Sequence, residues 1–342
     1  MTSWVRRVSK LFSRDPDARP PAARVSSFPS TGGPDTQAPA PDRRGEPLVD
    51  LDADLFAWML GQLPATDHPA HPDEALWLAD LDALIAADRG RGELLPRAAG
   101  VIPPLLNSLR DEAQSAGDLA QRVARDPNLV AEVTRLANSL AHRGHDPVTD
   151  LPDAVRRVGT TGVRQAVAKV VLKPMYAASP GALSSQAAVA VWAHSQAQAD
   201  LCRALAGDRG ADAFEAYLGG LLFDTGWTAG WRALDRVFEA HPAPANLAFS
   251  RGFRAAFARR RERLFAQFLI DWKLSVPLHA AARAVKAADG VAGADDPLAQ
   301  LLLVGHRLAA RRMLVSAGWL PPLPQAVAAW SPAVQAAWHA NA

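Results

Sequence analysis

The sequence predicts an all-α protein. Alanine and leucine dominate nearly every patterned segment, and apolar residues recur at helical spacing. No stretch combines sustained period-two alternation with β-branched enrichment, the signature of strands. Hydrophobic residues make up 49% of the 342-residue chain and charged residues 21%, a mixture that supports a sizeable core. With 37 Lys and Arg against 35 Asp and Glu, the net charge is +2, which gives no polyanion-binding signal for the chain as a whole. The single cysteine, Cys202, has no partner for an internal disulfide and lies in an apolar helical stretch, so it reads as a small core residue in a reducing, cytoplasmic compartment. No run approaches the ~18 apolar residues of a membrane-spanning helix.

The elements follow in order. In residues 1–14, Trp4, Val5, Val8, Leu11 and Phe12 stand at helical spacing with Arg6, Arg7, Lys10 and Arg14 between them, a short basic amphipathic segment. Residues 15–47 hold eight of the chain's 27 prolines among Ser, Thr, Gly and Asp. Such a composition buries too little apolar surface to offset its ordering entropy and predicts a disordered linker. Residues 48–91 form a helical preamble: Leu51, Leu55, Phe56, Met59 and Leu60 make one face, Leu76, Leu78, Leu81, Leu84 and Ile85 another, with a loop over Pro64–Pro72.

The central region, residues 92–290, opens at Leu94-Leu95-Pro96, with helices expected around Leu105–Leu109 and Leu119–Ala124. Asp126-Pro127-Asn128-Leu129 is a helix start: Asp126 caps free amides, and Pro127 suits the first turn, where no N–H is needed. That helix runs to Asn138-Ser139, which read as its end, with a ligand-binding pair as the sharper alternative. Another helix starts near Thr149–Asp153 and stops at Gly159. The next, Val163–Leu172, is ended by Pro174. A final helix, Leu298–Ser316, and a tail from Trp319 to Trp338 form a C-terminal extension, residues 291–342.

Several blocks of this region, in this order, resemble the HDOD family, a catalytically degenerate branch of the HD-domain superfamily found in bacterial signalling proteins. Asp126-Pro127-Asn128-Leu129 with Arg135-Leu136-Ala137-Asn138-Ser139 is similar to the family's Asp-Pro-x-Leu … Leu-x-Asn-Ser block. Asp153-Ala154-Val155-Arg156-Arg157-Val158-Gly159 resembles its Ala-Ile-x-x-Leu-Gly block, and Trp192-Ala193-His194-Ser195 its Trp-x-His-Ser helix. Gly219-Gly220-Leu221-Leu222-Phe223-Asp224-Thr225-Gly226 is similar to Gly-Leu-Leu-His-Asp-Ile-Gly. Phe268-Leu269-Ile270-Asp271-Trp272-Lys273-Leu274 resembles the late Leu-Leu-x-x-Trp-x-Leu-Pro segment.

The departures carry the functional expectation. Phe223 stands where the resemblance places a histidine, and a phenyl ring has no lone pair for a metal. Val285-Lys286 stands near a frequent His-His pair, and Ser275 where a proline is usual. Of the positions the resemblance assigns to a metal site, His194, Phe223 and Asp224, only two carry ligands. A catalytic divalent ion needs at least three protein ligands. The resemblance therefore implies a regulatory, non-catalytic domain that acts by binding a signalling protein partner or signal ligand. It implies no metal, no cofactor and no catalytic residue. The competing reading is a metal-dependent phosphohydrolase with substituted ligands. It requires His194, Asp224 and one of His241, His279 or His306 to converge.

Other residues have paired readings. His194 and Asp224 are a hydrogen-bonded core pair or remnant ligands. Arg259, Arg260, Arg261 and Arg263 form a solvated cationic helix face or a site for an anion or acidic partner, over an apolar stripe of Phe253, Phe257, Leu264, Phe265 and Phe268. The aromatics read as buried, so no nucleic acid is expected. Trp227 and Trp231 fill the volume of the lost site or form a docking surface. His142 and His145, like His68 and His71, read as loop residues. Trp4, Arg6, Arg7, Lys10 and Phe12 offer at most weak contact with an anionic inner-membrane surface.

Overall fold

The computed structural model describes residues 51–62, 68–95, 120–121, 123–141, 148, 150–177, 181–244, 247–288, 291–322 and 332–339. The N-terminal segment, the proline-rich linker, the expected helix at Leu105–Leu109 and the loop carrying His142 and His145 lie outside them. Among the described residues there is no strand.

Twelve helices are described: α1 (Leu51–Met59), α2 (Glu74–Ala86), α3 (Asp88–Leu94), α4 (Pro127–Ala141), α5 (Leu151–Leu172), α6 (Ala182–Leu205), α7 (Ala213–Phe223), α8 (Thr225–Ala240), α9 (Arg251–Asp271), α10 (Val276–Ala287), α11 (Pro297–Ser316) and α12 (Pro332–His339). Their starts obey local chemistry. Asp126 accepts from the amides of Asn128 and Leu129 at the start of α4. The carboxylate of Asp150 accepts from Asp153 N–H, Asp212 from Phe214 and Glu215, and Asp296 from Ala299. The hydroxyls of Ser250 and Ser275 cap α9 and α10. Ser275 thus begins a helix whose proline, Pro277, sits in the first turn.

Gly159 sits inside α5 with φ 67° and ψ 179°, where the path kinks. This left-handed conformation strains any other residue, so the break read at this glycine exists as a kink between two helical runs.

Two cores result. The smaller lies between α4 and α5 and holds Val133, Ala137, Val155 and Val163. The main core is centred on α6, α7, α8, α9 and α11. It also takes in Leu55, Phe56 and Met59 of α1 and Trp77 of α2. The preamble and the C-terminal helix are therefore packed into the same apolar interior as the central helices. Phe56 is the hub of an aromatic cluster, with ring centroids 4.6 Å from Trp231 and 5.3 Å from Phe257.

Trp227 and Trp231 are buried and stack 5.8 Å apart in this cluster. They fill interior volume and offer no docking surface.

Candidate functional site

The site is built where α6, α7, α8, α9, α11 and α1 meet. On α6, residues four apart face the core together, and His194, Gln198 and Cys202 are all buried there. Burial pushes the Cys202 thiol pKa up, so it stays protonated. Helix α7 ends at Asp224, which has φ −81° and ψ 2° and joins it to α8. The Asp224 side chain makes no cap there. Its Oδ2 lies 2.6 Å from His194 Nδ1. Both residues are fully buried. Since a carboxylate only accepts, we assign the His194 proton to Nδ1, leaving Nε2 with a bare lone pair. The hydrogen-bonded core pair expected from the sequence is present.

Glycines bring the helices close enough to form this junction. A Cβ on Gly226 would sit 2.1 Å from the Arg261 carbonyl oxygen, and one on Gly220 2.8 Å from Ala199 Cα. These are backbone approaches between α8 and α9 and between α7 and α6, which no side chain allows. The Leu221 carbonyl accepts from Ser195 Oγ at 2.8 Å and from the Tyr176 hydroxyl, fixing α7 against its neighbours.

His306, on α11, completes a group of three. Ligand-type atoms of His194, Asp224 and His306 all lie within 4.8 Å of one another. The rings of His194 and His306 meet edge to face at 4.9 Å. Of the three histidines that could complete the substituted-ligand reading, His306 is the one that converges. His241 faces Asp80 at 3.3 Å, and His279 lines a separate cleft between α9 and α10.

Arg261 requires a correction. The sequence places it with Arg259, Arg260 and Arg263 on a cationic surface, but its side chain is fully buried. The reason is helical geometry. At ~100° per residue, four arginines within five positions cover most of the circumference, and one must face inward. Arg259 and Arg263 are exposed. Arg260 is half-buried and donates to Asp82 at 2.5 Å. Arg261 sits in the stripe Phe257, Leu264, Phe265 and Phe268, and its guanidinium carbon stands 5.0 Å from the Phe223 ring and 5.2 Å from Trp227. These contacts are cation–π in character.

Asp52, on α1, joins them. Its Oδ1 lies 3.1 Å from Arg261 Nη2 and 2.6 Å from His306 Nε2, and Nη2 is 2.6 Å from the same ring nitrogen. We assign the His306 proton to Nε2, because the carboxylate can only accept. Burial works to raise the Asp52 carboxyl, but Arg261 and His306 hold it well below the usual carboxylate range. Burial and the Arg261 charge push His306 down to about 4 against the pull of Asp52. Burial raises Glu262 beside them.

The fit of this centre to a metal ion follows from the donors. His194 Nε2, Asp224 Oδ1 and His306 Nδ1 have no hydrogen-bond partner, which suits ligands. Against them stand the phenyl ring of Phe223 and a guanidinium that never deprotonates in proteins. The Arg261 charge would repel a divalent ion at this cluster, against the attraction of Asp224, and it already pairs with the second carboxylate, Asp52. With Arg261 in place, the residues present do not fit a metal ion.

A helical domain with a buried His194–Asp224–His306 cluster and a buried Arg261 beside it is thereby defined. The HDOD domain family matches residues 95–288, more than half of the chain, and the chain belongs to that family. None of the curated proteins matches it. Among solved structures, the chain is similar to one from Shewanella amazonensis described as a "Putative metal-dependent phosphohydrolase". The two are 16% identical with a TM-score of 0.49, and the match covers 79% of this chain and 98% of that one. A "Putative phosphohydrolase" from the same organism is 21% identical over 71% of this chain and 88% of that one, with a TM-score of 0.44. An HDOD domain protein of unknown function from Geobacter sulfurreducens is 17% identical over 84% of this chain and 88% of that one, with a TM-score of 0.40.

Asp52 and His306 lie outside the residues matched to the family. The role of Asp52 was missed by the sequence reading. A signal was present: Asp52 precedes Phe56 by four and Met59 by seven, on the apolar face of α1. No described helix is long and apolar enough to cross a membrane. Trp4, Arg6, Arg7, Lys10 and Phe12 lie outside the described residues.

Proposed function

We propose that this chain is a non-catalytic regulatory domain that transmits a signal by binding a protein partner. One observation carries the reading: the His194–Asp224–His306 cluster is sealed, with Asp52 at its rim, where its side chain is 29% exposed. His194, Phe223, Asp224, Trp227 and Arg261 have no exposed surface, and His306 is 2% exposed. Hydrolysis needs a water and a phosphoester at the reacting centre, and no side chain of this group reaches solvent enough to meet one. The exposed Arg259 and Arg263 are the candidate contact for an acidic partner surface. Cytoplasmic placement with weak N-terminal contact to anionic lipid, and the absence of nucleic acid and cofactor, belong to the same proposal.

The second reading, a metal-dependent phosphohydrolase with substituted ligands, is favoured by the convergence of His194, Asp224 and His306. A panel of phosphomonoesters and phosphodiesters, assayed with purified protein plus Mn, Fe, Mg or Zn, separates the two. The proposal expects no turnover above a His194→Ala control. Turnover that His194→Ala abolishes would overturn it in favour of the hydrolase.

A further inference from the structure

We infer that the guanidinium of Arg261 is the resident cation of this centre, a side-chain replacement for a metal ion that keeps divalent ions out. The inference deepens the non-catalytic reading and rests on it. Three observations meet here. First, the centre has a surplus of unpaired acceptors: His194 Nε2, Asp224 Oδ1 and His306 Nδ1 are buried without partners. A bare lone pair in a dry site calls for a positive charge. Second, Arg261 brings that charge, and its Nε and Nη1 are also buried without partners. Unsatisfied donors and unsatisfied acceptors of opposite character share one sealed cluster. Third, the ring at the former histidine position, Phe223, lies against the guanidinium and presents it with a π face.

The arginine also does what an ion does in joining distant helices. Asp52 on α1 accepts from both Arg261 and His306, and through this carboxylate the arginine is tied to α1 and α11. Both helices lie outside the family match. Removing the charge should then leave Asp52 without its arginine partner and the imidazole lone pairs open.

The test uses the full chain and two variants at this position. For Arg261→Ala, thermal unfolding and bound metal are measured after exposure to Zn²⁺ or Mn²⁺ and dialysis. The variant is expected to melt lower than wild type, to take up one ion per chain, and to regain roughly 5 °C or more on doing so. A second change, His194→Ala, should abolish the uptake. Arg261→Lys keeps the charge and should stay metal-free. Phe223→His with Arg261 retained should also bind no ion, because the guanidinium remains.

An Arg261→Ala chain that takes up no ion, or that stays unfolded with and without ions, overturns the inference. So does uptake by Arg261→Lys or by Phe223→His alone. A metal-free Arg261→Ala beside an inactive wild type refutes this inference and leaves the non-catalytic reading standing. Phosphoester turnover by wild type removes both.

Discussion

The buried histidine on α11 gives the protein a stability that depends on pH in a window where few other groups titrate. His306 is held down to about 4 from an ordinary 6.5. The folded protein therefore keeps this ring neutral over a range in which the unfolded chain binds a proton. Because the unfolded state binds more protons there, stability rises with pH and is lost as pH falls from about 6.5 toward about 4. Integrating the linkage between about pH 7 and about pH 4.5 gives a loss of roughly 2 kcal/mol. Glu262 and Asp200, whose carboxyls burial raises, work in the opposite direction in this interval, so the His306 contribution is read as the difference between wild type and a variant without the ring. Asp52, whose carboxyl is depressed, acts below this interval: its contribution is present above about pH 4 and is lost on further acidification. The assay is urea unfolding at several pH values, for wild type and for His306→Asn. Asparagine keeps a donor for Asp52 but does not titrate. Wild type should lose about 2 kcal/mol more than the variant across the interval. Parallel curves for the two proteins would refute the assignment of a neutral, buried His306.

Two further predictions concern the packing that positions the site. Gly226→Ala should destabilise by about 3 kcal/mol, because its Cβ would meet the Arg261 carbonyl oxygen at 2.1 Å and α8 would have to move from α9. A loss below ~0.5 kcal/mol in chemical denaturation would show that the two helices separate easily. Asp235, on α8, caps α6 from outside, accepting from the amides of Leu183 at 2.9 Å and Ser184 at 3.0 Å. Asp235→Ala should cost about 1–2 kcal/mol in the same assay, and an unchanged midpoint would mean that the cap contributes nothing.

Local features were legible in the sequence because their causes are local. The start at Asp126-Pro127, the kink at Gly159 and the inward stripe of Phe253, Phe257, Leu264, Phe265 and Phe268 follow from capping, backbone freedom and helical period. The His194–Asp224 pair was legible through family resemblance, which supplies a tertiary contact that periodicity does not. The Asp52–Arg261–His306 group was not, since its members are 45, 209 and 254 positions apart and no pattern of spacing reports their meeting. The error at Arg261 had a different origin. Charge density along the chain suggested a surface, whereas the register of Arg261, four residues after Phe257 and four before Phe265, places it inside.

On the proposed reading, this HDOD centre works without a metal ion. Elemental analysis of the purified wild-type protein, expressed with Mn, Fe, Zn and Mg supplied, tests it most directly. Transition metal far below one ion per chain is expected. One tightly held ion per chain, lost in His194→Ala and His306→Ala, would contradict it and place the protein among the metal-dependent members of the superfamily.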